Sequence, residues 1–325
     1  MAIPVIDIRQ LWPGETPFDG ALAFVDLAIA PADPGEIVLP PCPVIGLGDA
    51  AHPLAHKLDA VLQAPVTAST LVAQVAAHPR AAAVVVALLR AIPQLTLPDA
   101  LAAESMAYGV LQGSAEHLRW RAGRPPLPPA AAGQLAVERI DNRLVVTLAN
   151  PVSGNAIDRT MRDQLAEAFA LAALDTAIAE VHLRAEGRTF SLGAELGEFG
   201  TTTDPATAFA IRAQTLPAHA LARCADRLTV HVRGACVGSG LEMAAWGQHI
   251  SATPQAWFQL PELAMGVLPG AGGCVALTRR IGRQRTALLV LSGKRLNARQ
   301  ALDWGLIDAI LDEPTSDHRR PDIAR

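Results

Sequence analysis

The chain has 325 residues, 50% apolar and 18% charged, which is enough to bury a large core and too apolar for extensive disorder. Its 27 basic and 31 acidic side chains leave a net charge of −4, which excludes a field able to gather nucleic acid or anionic lipid. The longest apolar stretch, Ala81 to Leu89, is too short to cross a bilayer, and the start "MAIPVIDIRQLWPG" lacks the basic residues and apolar run of a signal peptide, so no membrane partner and a cytoplasmic location are expected.

In chain order, residues 1–121 read as a mostly helical segment. After a possible strand "CPVIGLG", the runs "HPLAHKLDAVLQ", "ASTLVAQVAAH", "RAAAVVVALLRA" and "LPDALAAESMAYGVLQGSAEHLRWRAG" carry apolar residues at helical spacing, and their polar residues form no obvious catalytic cluster. A Pro/Ala-rich linker covers 122–134; the prolines of "AGRPPLPPAAAG" forbid a helix there.

The segment 135–311 changes character. "LAVERIDNRLVVTLAN" predicts two strands around a "DN" turn, and Asp158 caps an amphipathic helix running to about Leu174. Strand "EVHLRA", a helix near Pro205 to Ala225, strand "LTVHVRG", a helix from about Ser239 and strand "HISAT" follow. This alternation predicts an α/β domain with a parallel sheet. The end, 312–325, is a polar tail. Cys42, Cys224, Cys236 and Cys274 are scattered and fit neither a disulfide framework nor a metal pattern, so buried thiols and no metal site are expected.

The chemistry concentrates in "VGSGLEMAAW" and "LPELAMGVLPGAGG". A glycine turn that opens a helix presents unpaired N–H groups and the positive end of the helix dipole. A dinucleotide fingerprint is one reading, but Met243 is too large for its third position, and Glu262 does not stand at a strand tip. The other reading is an oxyanion hole, with a second donor from the small-residue turn Gly193–Ala194 in "TFSLGAELGEF". Glu242 and Glu262 then suit acid/base work, titrating together if they lie close and buried. Against this, the helix dipole alone favours an acid at Glu242, Glu262 suits a solvated turn, and Gly270, Gly272 and Gly273 suit ordinary turn chemistry.

Taken jointly, five stretches resemble the crotonase superfamily, the enoyl-CoA hydratase and isomerase family, from about Leu135 to Leu311. They are "PVSGNAID", "RTFSLGAELGEF", "VRGACVGSGLEMA", "FQLPELAMGVLPGAGG" and "LSGKRLNARQALDWGLID". The resemblance implies a ββα superhelix core and a trimer or dimer of trimers. It further implies an acyl-CoA thioester substrate, with coenzyme A part of that substrate and no separate cofactor. Carried over residue by residue, the oxyanion N–H groups fall on Ala194 and Ser239, and the catalytic pair on Glu242 and Glu262. Ala156, Gly193, Gly238, Gly240, Pro269 and Gly270 fall at substrate-binding positions. Hydration is the implied reaction; isomerisation, thioester hydrolysis, cofactor-independent oxygenation and non-catalytic acyl-CoA binding are its alternatives.

The pattern is altered in places. Ser239 stands at the middle glycine of the family's triple, Glu195 at a usual Asp, Gly197 at a common Lys and His249 at a frequent Asp. Family members continue past "GLID" with further helices, and the front stretch "LPDALAAESMAYGVLQGSAEHLRWRAGRPPLPP" resembles that terminal pattern. The expectation is that these helices have moved to the N-terminus and pack where the usual tail would; an unrelated helical cap is the alternative.

Overall fold

The computed structural model describes residues 3–16, 18–125 and 132–312. Residues 126–131 of the expected linker and nearly all of the expected polar tail, 313–325, therefore lie outside the described residues.

The front segment holds more sheet than its sequence suggests. Strands β1 (Val5–Ile6), β2 (Ala23–Asp26), β3 (Val44–Leu47) and β4 (Ala60–Val61) form a parallel sheet in that order. Only β3 lies in a stretch read as a strand; all four are two to four residues long, too short to display a period. Of the expected helical runs, "HPLAHKLDAVLQ" forms no α-helix but a short 3-10 turn, Ala55–Lys57, that leads into β4; the other three give α1 (Ala68–Ala77), α2 (Pro79–Ala91), α3 (Leu97–Gln112) and α4 (Ala115–Ala122). Thr67, Thr96 and Ser114 cap α1, α3 and α4 through their hydroxyls, which accept N–H groups the helices leave unpaired.

The rear segment opens with the hairpin β5 (Leu135–Ile140) and β6 (Arg143–Leu148), turned at Asp141 with a left-handed φ of 53°. Helix α5 (Arg159–Leu174) begins, as expected, at the cap Asp158, whose carboxylate accepts from the Met161 N–H. After β7 (Glu180–Ala185), the expected single helix is two, α6 (Pro205–Thr215) and α7 (Ala218–Cys224), because Pro217 cannot donate within a continuous helix. Then come β8 (Leu228–Val232), β9 (Ala235–Val237), α8 (Ser239–Ala244), β10 (His249–Ala252) and β11 (Trp257–Gln259). Helices α9 (Gly273–Ile281) and α10 (Arg283–Ser292), strand β12 (Leu296–Asn297), helix α11 (Ala298–Asp303) and strand β13 (Ala309–Ile310) complete the described chain.

These strands build two sheets. The larger runs β13-β10-β8-β7-β6-β5, parallel throughout except for the β5–β6 hairpin, and the smaller runs β12-β11-β9. Successive repeats give one strand to each sheet, as in β8 then β9 and β10 then β11, before turning into a helix or helical turn. The result is the expected ββα superhelix.

The front segment docks on this core as part of one hydrophobic interior. Leu71, Val85 and Leu101 belong to the same buried cluster as Leu165, Val230 and Leu289, with α1 and α2 against α10 and α3 against α6 and α9. Polar links fix the register. Buried Asp59 pairs with Arg90 at 2.6 Å and approaches Arg283 of α10 at 3.5 Å, while Trp304 donates to the Ala64 carbonyl. A second, smaller cluster around Leu11, Val25 and Leu54 underlies the four-stranded sheet. All four cysteines are free and buried, as expected. Among the described residues no single helix is long and apolar enough to cross a membrane.

Candidate active site

The site begins where β9 ends. Gly238 turns the chain with φ +51° before α8, and Gly193 turns it with φ +93° after Ser191. Ser191 bridges to Cys236 in parallel, and the Val237 N–H donates to the Ser191 carbonyl at 3.0 Å, so the two turns lie side by side. A Cβ on Gly193 would stand 3.1 Å from the Val237 carbonyl and 3.6 Å from the Gly238 Cα. Glycine keeps both the backbone angle and this close approach. Ala194 and Ser239, the residues immediately after the two turns, line one cavity.

Asn155 locks the loop beneath. Its buried side chain accepts from the Asn150 N–H and donates to the carbonyls of Glu186 and Thr189, while its own carbonyl accepts from the Ser191 hydroxyl. Ser191 in turn accepts from the Gly193 N–H at 3.1 Å.

Both glutamates reach the cavity and both are buried, so neither is the solvated surface acid that spacing alone permitted. One oxygen of Glu242 accepts from the N–H groups of Ala271 and Gly273, at 2.5 and 3.0 Å, which leaves the other for the cavity. Glu262 sits on a short 3-10 turn, Glu262–Met265; its Oε2 is buried without a partner among the described residues, and its Oε1 lies 2.8 Å from where a Cβ on Gly238 would be. Burial pushes the Glu242 carboxyl up to about 7 against the pull of the Ala271 N–H, the Arg212 charge and the Gly273 N–H. Burial and then the Glu242 charge push Glu262 well above the ordinary carboxylate range. The pair is thus split: Glu242 has donors to hold its charge, and Glu262 keeps its proton.

Of the sequence-predicted residues, Gly193, Ala194, Gly238, Ser239, Glu242, Glu262 and Gly270 line a single cavity of about 120 Å³. It adjoins one of about 210 Å³, which shares Ala194, Ser239, Tyr108 and Arg212. Ala156, Gly240 and Pro269 are not among the lining residues. Gly240 instead packs on Ser191, whose Cβ lies 2.5 Å from a Cβ placed there, and the Pro269 carbonyl accepts from the Cys274 thiol.

Four further residues stand in or behind the walls. Glu104 of α3 is fully buried and accepts from the N–H groups of Gly272 and Val275, at 2.6 and 3.1 Å. Burial and then the Glu242 charge push its carboxyl up to about 8. Tyr108 of α3 lies under the Arg212 guanidinium of α6, 4.1 Å from ring centre to Cζ. Gly270 leaves them room, since a Cβ there would stand 2.3 Å from the ring of Tyr108 and 2.8 Å from Arg212 Nη2. His117 of α4 is within 2.9 Å of the Met265 carbonyl through Nδ1, at the end of the turn that carries Glu262. Helical periodicity marked α3 and α4 as helices but gave no sign that they face this cavity. The only available signal was their resemblance to the family's terminal helices.

A ββα spiral with two glycine turns facing paired buried carboxylates defines a crotonase-fold protein. The enoyl-CoA hydratase/isomerase family profile matches residues 139–319. The chain is 33% identical over 177 residues to the 2,3-dehydroadipyl-CoA hydratase of Escherichia coli (strain K12), covering 54% of this chain and 69% of that protein. It is also 33% identical over 178 residues to the mevalonyl-coenzyme A hydratase of Beauveria bassiana, covering 52% of this chain and 64% of the relative. Among solved structures, a Mycobacterium abscessus protein described as an enoyl-CoA hydratase/isomerase superposes with TM-score 0.51 at 30% identity, over 56% of this chain and 71% of the other. An enoyl-CoA hydratase from Bacillus anthracis, at 21% identity and TM-score 0.50, shares the fold over 55% of this chain and 69% of its own. This chain belongs to the enoyl-CoA hydratase/isomerase family.

Proposed function

We propose that the protein adds water to, or removes it from, an enoyl-CoA thioester. The observation that carries this reading is the split pair, Glu242 with two N–H donors and Glu262 with an unpartnered oxygen, beside the turns that end in Ala194 and Ser239. The N–H groups of Ala194 and Ser239 hold the thioester oxygen as charge develops there. The free oxygen of Glu242 takes a proton from water as the water oxygen bonds to C3. The C2–C3 π pair moves onto the thioester as an enolate, and its return collects the proton of Glu262 at C2. One proton is gained and one given, so the pair ends with the charge it began with. The reaction so drawn uses protein groups, water and the thioester alone. The two relatives, both named as hydratases, agree with this reading.

The same proposal gives α3 and α4 the place of the family's terminal helices. Their hydrogen bonds to the Gly270–Gly273 region and to Met265 support it. A trimer or dimer of trimers follows from the resemblance alone, and a cytoplasmic location from the sequence expectation alone.

The test is Glu242→Gln assayed with a panel of enoyl-CoA thioesters by mass spectrometry. Hydration should fall by about 10² to 10⁴. Isomerisation persisting where hydration never occurred would favour an isomerase working through Glu262. Hydration surviving at the original rate would sink the two-glutamate mechanism.

A further inference from the structure

Arg212 is the one arginine among the described residues with guanidinium nitrogens buried and without a hydrogen-bond partner. Arg90 pairs with Asp59, Arg280 with Asp308, and Arg227 donates to the carbonyls of Ile178 and Ala172. The Nε and Nη2 of Arg212 are buried and donate to no described group; the guanidinium only stacks on Tyr108. These two nitrogens form one edge of the guanidinium, whose parallel N–H bonds match the two oxygens of a carboxylate. None of the nearby glutamates hydrogen-bonds that edge: Glu104 and one oxygen of Glu242 accept from backbone amides of the Ala271–Val275 stretch, and the Arg212 charge acts on both carboxyls only through space.

The position selects the ligand further. Arg212 shares a cavity with Glu242 and Glu262, the groups that act at C2 and C3, so the part of the thioester that comes beside it is the acyl chain. Around it Ile157, Phe199, Ala208, Ile211 and Leu216 give the adjoining pocket an apolar wall suited to short methylene segments. Asp158, Arg159, Arg162, Glu195 and Glu198 also line that pocket, but the two buried donors of Arg212 stay open, at a cost that a bound anion removes.

We propose that Arg212 is a specificity-determining residue whose Nε–Nη2 edge receives a second carboxylate, carried by the acyl chain of the thioester substrate. This deepens the hydratase reading and rests on it for the placement of the acyl chain.

The experiment titrates two saturated acyl-CoA thioesters of equal chain length, one ending in a carboxylate and one in a methyl group, onto the full chain by calorimetry. The intact protein should bind the carboxylate-bearing thioester about 10- to 100-fold more tightly, the range of a charge-assisted hydrogen-bond pair. Arg212→Met should erase that preference, and Arg212→Lys, which keeps the charge without the fork, should restore only part of it. Equal binding by the intact protein, or a preference that survives in Arg212→Met, overturns the proposal. Should Arg212→Met fail to fold, the preference of the intact protein decides alone. Saturated thioesters bind without turnover, so the two readings fail separately. A carboxylate preference with no hydration of any matching enoyl thioester sinks the hydratase reading and keeps this site; hydration without preference does the reverse.

Discussion

Glu104 and Glu242 divide between them the amides that open α9. Glu104 accepts from Gly272 and Val275, Glu242 from Ala271 and Gly273, so carboxylates from the front segment and the core interleave along one loop. The consequence is that the front segment helps to aim a reacting group it does not carry. Glu104→Ala leaves two buried N–H groups unpaired and should destabilise the fold by about 2–4 kcal/mol, read as a lower urea midpoint. Activity should fall with it, because two of the four amides that the carboxylates hold at the start of α9 lose their acceptor. Glu104→Gln keeps an acceptor and should lose less of both; equal loss in the two variants would mean that charge, not hydrogen bonding, is what the loop needs.

The buried carboxylates also set the pH response. Glu104 and Glu242 have folded-state values of about 8 and about 7, above the ordinary 4.5, so the fold favours their protonated forms. Their stabilising contribution is complete below about 4.5 and is lost as pH rises through about 7 and then about 8. Urea midpoints should therefore decline across that window, and Glu104→Gln, which cannot ionise, should flatten the upper part. Hydration should show the opposite trend at its acid limb, since Glu242 accepts a proton only once ionised. The rate kcat/KM should rise through about pH 7 and fall again where Glu262 loses its proton. A midpoint that climbs steadily from pH 5 to 9 would contradict the assignment of these groups as raised.

Much of this was legible before the structure. The Asp158 cap, the "DN" hairpin and the strand–helix alternation are local signals, and local signals survived folding. The turns at Gly193 and Gly238 were visible as small-residue breaks after strands, although their side-by-side contact depends on the Ser191–Cys236 bridge, which no local pattern encodes. Glu104, Tyr108 and His117 were beyond reading from spacing because their partners lie more than a hundred residues away in the chain. Helix α3 has polar Glu104 and Ser105 on its buried side, and a buried acid blurs the amphipathic pattern that would otherwise have marked that face. Arg212 was hidden differently: an arginine in a helix reads as surface until its missing partners are seen.

Gly238 separates backbone strain from site geometry. Its φ of +51° with ψ of −128° is one that L side chains rarely adopt, and a Cβ there would stand 2.8 Å from Glu262 Oε1. Gly238→Ala should cost about 1–3 kcal/mol of stability and displace the carboxylate, lowering hydration by about 10². Gly282→Ala is the matched comparison, because Gly282 also has positive φ, at 82°, but nothing within 4 Å of its Cβ position. It should lose stability with unchanged kinetics. If the two variants lost the same activity, strain transmitted through the backbone would explain the effect, and Glu262 would need no special placement.

His117 tests whether α4 positions Glu262 or only covers it. The imidazole is buried, and that burial lowers its pKa below the ordinary 6.5, so at neutral pH the ring is uncharged. An uncharged ring within 2.9 Å of a carbonyl must carry its proton on Nδ1 to bond, which makes His117 the donor and Met265 the acceptor. The ring also stacks on Trp120, with centroids 5.4 Å apart, and lies 6.2 Å from Phe199. Two substitutions therefore part the two roles. His117→Phe keeps an aromatic body but removes the donor, and should cost about 1–2 kcal/mol; His117→Ala removes both and should cost about 2–4 kcal/mol. If the bond to Met265 fixes the turn that carries Glu262, both variants should lower kcat by about tenfold with KM little changed, because a misplaced proton donor weakens the transition state and not substrate binding. If instead kcat holds in His117→Phe while His117→Ala loses it, the packed ring and not the hydrogen bond sets the turn. Retention of kcat in both would confine α4 to a structural role and leave Glu262 positioned by the core alone.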